Sequence, residues 1–297
     1  MKIYRIAAKN KDHIDTISGK ICKIEVNKIP LHGILYPANS AKSDHACLFI
    51  HGTASNFYEN EFVSPTAIYA NKKKIAFLSV NNRGSEGLKI YPMAGACIER
   101  FEDCVKDIDA WINFLKKQGY SKVSLIGHSL GSEKIVYYMS HGKNVKSVVN
   151  VVLAGFSDTF GWVMNYASNI RSLISEAKRL ISRGKGDQFL TSDWLCHGGV
   201  LPQSANSFVN FFSKDSALSQ ALPLRDEELT LLQNIDVPIL GTITGVDEYT
   251  EVPISEAIKR LKANNPNVRV ERLSHTNHDY KGAENKIAKI IVDFCAS

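Results

Sequence analysis

The sequence predicts an α/β fold: a mostly parallel sheet flanked by helices, with an insertion of different texture. Three observations predict it. Short apolar runs alternate with helix-periodic segments over most of the 297 residues, the rhythm of strand–helix–strand units. Several of those runs are continuously apolar, as in strands buried on both faces. One of them, Val123-Ser124-Leu125-Ile126, passes directly into Gly127-His128-Ser129-Leu130-Gly131 and then into a helix-forming segment. A serine at such a strand-to-helix turn is held in a strained backbone conformation with its hydroxyl projecting, and the flanking glycines let the chain fold back closely.

The elements follow in order. Residues 1 to about 45 read as an antiparallel ribbon: Ile21, Ile24 and Val26 sit among polar residues, and Pro30 and Gly33 punctuate before Ile34-Leu35-Tyr36. Ala46 to Ile50 is a buried strand ending in His51-Gly52-Thr53. Phe62 to Lys74 reads as a helix, and Ile75 to Val80 as the next strand, ending in Asn81-Asn82-Arg83-Gly84. Ile98, Phe101, Val105, Ile108, Ile112 and Leu115 recur at spacings of three and four, one apolar stripe of a helix that Gly119 closes. Asp103, Asp107 and Asp109 fall off the stripe and are expected in solvent. After the elbow come a helix and the strand Ser147 to Ala154.

The rhythm breaks between about Ser157 and Asp236 and resumes with Pro238 to Thr244. A helix from Ile254 to Ala263, a strand Val268 to Leu273 and a helix Ala283 to Phe294 complete the chain. A structureless loop of that length is implausible in a compact domain, so 157–236 is expected as a helical cap over a core made of 1–156 and 237–297. The cap is rich in large apolar residues, among them Phe160, Trp162, Met164, Trp194, Phe208, Phe211 and Phe212. They either pack the cap onto the core or favour an apolar or aromatic group of a substrate.

Composition excludes several classes. The net charge of +6 is mild for this length, and no window interleaves Lys and Arg with aromatics, so nucleic acid is not an expected partner. The six cysteines are scattered without a CxxC pair and read as small hydrophobes. No apolar run approaches the roughly 18 residues of a membrane span, and the first residues lack a signal-peptide pattern, so a cytoplasmic chain is expected. No cofactor or metal is expected.

A serine hydroxyl needs a base to take its proton, and the base works best when a carboxylate fixes its tautomer. In a parallel sheet these partners come from loops at the carboxyl ends of strands. His278, a few residues before the last helix, has the reach for the base; His275 abuts the strand and is the alternative. For the acid, Asp247 is best placed in the loop after Thr244, with Glu248 and Asp158 as alternatives. The oxyanion needs two amide donors, Leu130 after the nucleophile and Thr53 in the turn after His51-Gly52. His51 itself reads as the structural support of that turn.

Taken together, strand-His51-Gly52-Thr53, strand-Asn82-Arg83-Gly84, Gly127-His128-Ser129-Leu130-Gly131 and an acid and a histidine in the order Ser, Asp, His resemble the α/β-hydrolase superfamily over nearly the whole chain. The insertion is similar to the cap of cytoplasmic carboxylesterases and serine aminopeptidase-like hydrolases. The resemblance implies an eight-stranded, mostly parallel sheet and acyl transfer through an acyl-enzyme on Ser129, with a small acyl compound as substrate. Asn81 stands where many relatives have the acid of Asp-x-Arg-Gly, a departure that bears on substrate orientation. Ester hydrolysis is the expected activity. Thioesterase, peptidase and acyltransferase activities use the same triad, and a non-catalytic small-molecule receptor is the distant alternative.

Overall fold

The computed structural model of the chain describes residues 3–10, 13–91, 93–191, 194–196, 199–246 and 249–297. In chain order, β1 (Ile3–Asn10), β2 (His13–Val26), β3 (Ile29–Tyr36) and β4 (His45–Ile50) precede α1 (Val63–Lys72), β5 (Ala76–Val80) and α2 (Cys104–Lys117). Then come β6 (Lys122–His128), α3 (Leu130–His141), β7 (Val148–Ala154), α4 (Thr159–Tyr166) and α5 (Ile170–Ser182). A hairpin of β8 (Trp194–Cys196) and β9 (Gly199–Leu201) leads to α6 (Ala205–Phe212), α7 (Ala217–Ala221) and α8 (Thr230–Gln233). The chain closes with β10 (Ile239–Thr244), α9 (Ile254–Asn264), β11 (Val268–Leu273) and α10 (Glu284–Cys295).

The expected amino-terminal ribbon is present: β1, β2 and β3 pair antiparallel, and the β2–β3 turn places Asn27 and Lys28 at positive φ, as a twist-matched two-residue hairpin requires. β3 joins β5 antiparallel, and from β5 the sheet runs parallel through β4, β6, β7, β10 and β11. The order is β1-β2-β3-β5-β4-β6-β7-β10-β11. The eight strands from β2 onward form the mostly parallel sheet implied by the sequence, and β1 adds a ninth at the ribbon edge.

Strand alternation sorts the core into two layers. Leu48 and Ile50 of β4 face α2, α3 and α9, packing with Trp111, Ile112 and Ile135. Cys47 and Phe49, one residue out of phase, face α1 and α10 with Ala67, Ile287 and Ile291. On α2 the predicted stripe holds, with Ile108, Ile112 and Leu115 fully buried, and Gly119 leaves the helix at φ +93°. The solvated reading of its aspartates fails for Asp107. That side chain is buried and accepts from Arg83 Nη2 at 2.7 Å and from Arg83 N at 2.8 Å, because the polar edge of α2 packs under the loop after β5 rather than facing water.

Residues between β7 and β10 lie outside the large sheet. Their elements are helices, as expected, with one difference: β8 and β9 pair in a small antiparallel hairpin. Three-residue strands are too short to carry a period distinguishable from a helix. Phe160, Phe208, Phe211 and Phe212 are buried in a third cluster together with Cys97, Phe101 and Leu130. Most of the segment's aromatics thus pack it onto the sheet layer. Among the described residues no helix is long and apolar enough to cross a membrane.

Candidate active site

Ser129 ends β6 and opens α3 with φ 55° and ψ −128°, a conformation that costs an L-residue on the order of 1–3 kcal/mol. The surroundings enforce it. A Cβ on Gly127 would collide with the carbonyl of Gly131, and one on Gly131 with the carbonyl of Ile50, so the pattern of glycines is a packing requirement. Ser129 N donates to Ala154 O at 2.9 Å, while its own carbonyl accepts from Ser132 N and Ser132 Oγ at 2.7 and 2.6 Å. Gly52 lies against the serine: a Cβ there would stand 2.9 Å from Ser129 Cβ.

His51 supports that turn as the sequence suggested. Its ring Nδ1 donates to Gly52 O at 2.8 Å and its Nε2 accepts from Asn82 N at 3.2 Å. Burial, with the Lys134 charge adding, pushes its pKa down to about 3, so the ring stays neutral. The Asn82 side chain extends the chain of contacts inward. Its Oδ1 accepts from Gly84 N at 3.0 Å and from Lys134 Nζ at 3.2 Å, and Lys134 Nζ donates to Glu99 Oε1 at 2.5 Å. Burial raises the Glu99 carboxyl while the Lys134 ammonium opposes the rise. Asn81 Oδ1 accepts from Phe57 N at 2.9 Å, so the amide oxygen holds the loop after β4 as a carboxylate oxygen would.

The histidine loop is anchored from below. Tyr280 is fully buried at φ 58°, and its hydroxyl accepts from Gly155 N and lies 2.8 Å from Thr242 Oγ1, tying the loop to the carboxyl ends of β7 and β10. His128 Nε2 donates to His278 O at 3.1 Å. The His278 ring is 6% exposed and sits 4.9 Å from the His128 ring and 4.6 Å from that of Tyr249, between centroids. Its Cε1 comes within 3.1 Å of where a Cβ on Gly155 would stand, next to the residue that accepts from Ser129 N. His275, by contrast, is exposed at φ 67°.

Of the acid candidates, Asp247 and Glu248 lie outside the described residues. Asp158 caps α4, accepting from Gly161 N at 2.8 Å, and holds Arg225 through Nη1 at 2.7 Å and N at 3.0 Å. Both of its oxygens serve the inserted segment. A cavity of about 460 Å³ opens over Ser129, walled by Gly52, Thr53 and His128 and by Asn277 and Asp279 on either side of His278. A second void, about 10 Å³ and large enough for a single water, is lined by Thr53, Leu130, Glu99, Thr159 and Phe211. Ser129, Thr53 and the His278 loop are thus brought to one edge of the sheet, with Leu130 beneath.

The buried charges Glu99, Glu133 and Lys134 are absent from the sequence reading. The only signal for them is a Glu-Lys pair placed directly after the elbow, where a helix must pack tightly under the sheet edge.

This sheet, with a strained serine at the turn after its central strand, is the α/β-hydrolase fold. Solved structures share it: a soluble variant of monoglyceride lipase from Saccharomyces cerevisiae, in complex with a substrate analogue, superposes with a TM-score of 0.66 at 12% identity, covering 95% of this chain and 96% of that one. An esterase from Butyrivibrio proteoclasticus gives 0.61 at 14%, over 92% and 96%. An esterase from Pyrococcus furiosus gives 0.57 at 18%, over 94% and 90%. Within this class, residues 19–266 match the family described as protein of unknown function, DUF1749, and the chain belongs to that family. No curated protein matches the sequence.

Proposed function

We propose that the chain is a cytoplasmic serine hydrolase that cleaves carboxylic esters. The observation that carries the reading is Ser129 at φ 55°, held at the sheet edge between Gly52 and the His278 loop. In this mechanism Ser129 Oγ attacks the acyl carbon while His278 accepts its proton, and Asp247 orients the imidazole and stabilises its charged form. The amides of Thr53 and Leu130 donate to the oxyanion. The proton then passes from His278 to the leaving alcohol, and water enters by the same route in reverse to release the acid from the acyl-enzyme. Residues 157–236 act as the cap over this edge, with Phe211 beside Thr53 and Leu130. An esterase of the same fold has been solved with ferulic acid bound, which supports a small aromatic acyl substrate here.

A fluorophosphonate probe tests the nucleophile: the wild type is labelled and Ser129→Ala is not. Equal labelling of the variant removes Ser129 from the role. With p-nitrophenyl esters, His278→Ala abolishes turnover and Asp247→Asn lowers it by about four orders of magnitude, the effect of the equivalent change in serine proteases.

A further inference from the structure

We infer that the mouth of this site selects esters carrying a cationic group, an inference that rests on the hydrolase reading of Ser129. The described walls of the 460 Å³ cavity carry three carboxylates, Glu59, Glu61 and Asp279, against one ammonium, Lys281. This is the reverse of the chain as a whole, which has 36 Lys and Arg to 30 Asp and Glu. Among the described residues neither Glu59 nor Glu61 has an ion-pair partner. Asp279 is touched by Asn60 Nδ2 at 3.4 Å and lies 4.0 Å from His128 Nε2, a nitrogen already committed to His278 O. With Lys281 offsetting one of the three carboxylates, the described walls of the cavity keep a net excess of negative charge.

The carboxylates are presented by an ordered turn. Asn56 Oδ1 accepts from both Tyr58 N and Glu59 N at 3.0 Å, Asn81 Oδ1 accepts from Phe57 N, and Ser79 Oγ donates to Phe57 O at 2.6 Å. Asn60 O then accepts from Val63 N at 3.0 Å at the start of α1. At the floor of the same cavity lies Ser129, 4% exposed, whose hydroxyl makes no hydrogen bond among the described residues. A reacting ester must therefore pass or rest beside the three carboxylates. A cleft lined by one sign of charge concentrates the opposite sign, and it also hastens departure of a carboxylate product. Exposed carboxylates each contribute up to a few-fold in water, so together they give a preference on the order of ten-fold at low salt. The substrate class is an ester bearing an ammonium or another organic cation within a few ångströms of the scissile bond.

The test compares two acetate esters of matched shape, choline acetate and 3,3-dimethylbutyl acetate, which differ by one positive charge. The ratio of their kcat/KM values is the readout, because it cancels effects common to both. The wild type is expected to favour choline acetate on the order of ten-fold at low ionic strength, with the ratio falling towards one in 0.5 M salt and in the double variant Glu59→Gln, Glu61→Gln. A ratio at or below one in the wild type, or a preference that survives the double variant unchanged, overturns the inference. If neither acetate is turned over, the same ratio is read from the labelling rates of a trimethylammonium fluorophosphonate and its neutral isostere. Labelling of Ser129 at equal rates defeats the inference alone, and labelling by neither defeats the hydrolase reading and the inference with it.

Discussion

Glu133 follows Ser129 by one turn of α3 and is fully buried. Its Oε2 accepts from Ser157 Oγ at 2.8 Å and from Thr159 Oγ1 at 2.5 Å, and its Oε1 from Thr159 N at 3.0 Å. Burial pushes its carboxyl up to about 8, with the Asp158 charge adding to the rise and the Thr159 and Ser157 hydrogen bonds opposing it. The folded chain therefore retains a proton that the unfolded chain, with a carboxyl near 4.5, has released. Stability from this group is fully present below pH 4.5 and is lost as pH rises to about 8. At about 1.36 kcal/mol per pH unit, tapering as pH nears the folded value, the loss between pH 6 and pH 8 is about 2.3 kcal/mol. Glu133→Gln keeps the shape: its amide oxygen accepts from Thr159 N, and its amide nitrogen donates to the two hydroxyl oxygens. Urea unfolding at pH 6, 7 and 8 should show the wild type losing about 2.3 kcal/mol more than the variant, or roughly 5–9 °C in thermal midpoint. Other groups titrate alike in both chains and cancel in the difference. Parallel profiles would refute the reasoning, since they mean that the three hydrogen bonds outweigh burial and hold Glu133 as a carboxylate throughout.

Gly52→Ala brings a Cβ to 2.9 Å from Ser129 Cβ and 3.1 Å from His128 O, so the serine or the turn must shift by a few tenths of an ångström or more. Turnover of p-nitrophenyl esters should fall about 100-fold, as misplacement of reacting groups by about 1 Å does, with the thermal midpoint little changed; unchanged turnover refutes the close fit. Arg225→Ala leaves the Asp158 carboxylate, 1% exposed, with only the backbone donors Gly161 N and Arg225 N. Equilibrium unfolding should show a loss of about 3–5 kcal/mol, the usual effect of breaking a buried pair from one side, and a loss under about 1 kcal/mol would show that Asp158 protonates at little cost.

What the sequence made legible follows from how local each requirement is. Continuous apolar runs identify strands covered on both faces, and β4, β5, β6 and β10 are where they were expected. The elbow is legible because its steric demands fall on five consecutive residues, Gly127 to Gly131. His278 and His275 differ in surroundings, His278 being buried in its loop and His275 exposed. The buried charges were not legible. Asp107 meets Arg83 across 24 residues and Lys134 meets Glu99 across 35, and a helical stripe says which face is apolar, not what its opposite face touches.

These hidden charges have a common cause. Loops after β4 and β5 have no strand neighbours beyond the sheet edge, so their backbone groups need side-chain partners once the inserted segment covers them. Asn82, His51, Asp107 and Asn81 supply those partners, accepting from Gly84 N, Asn82 N, Arg83 N and Phe57 N. Lys134 Nζ in turn donates to Asn82 Oδ1 and to Glu99 Oε1. The polar faces of α2 and α3 are therefore occupied by loop backbone where a surface helix would meet water. The turn beside Ser129 takes its shape from those same residues, through His51 and Gly52.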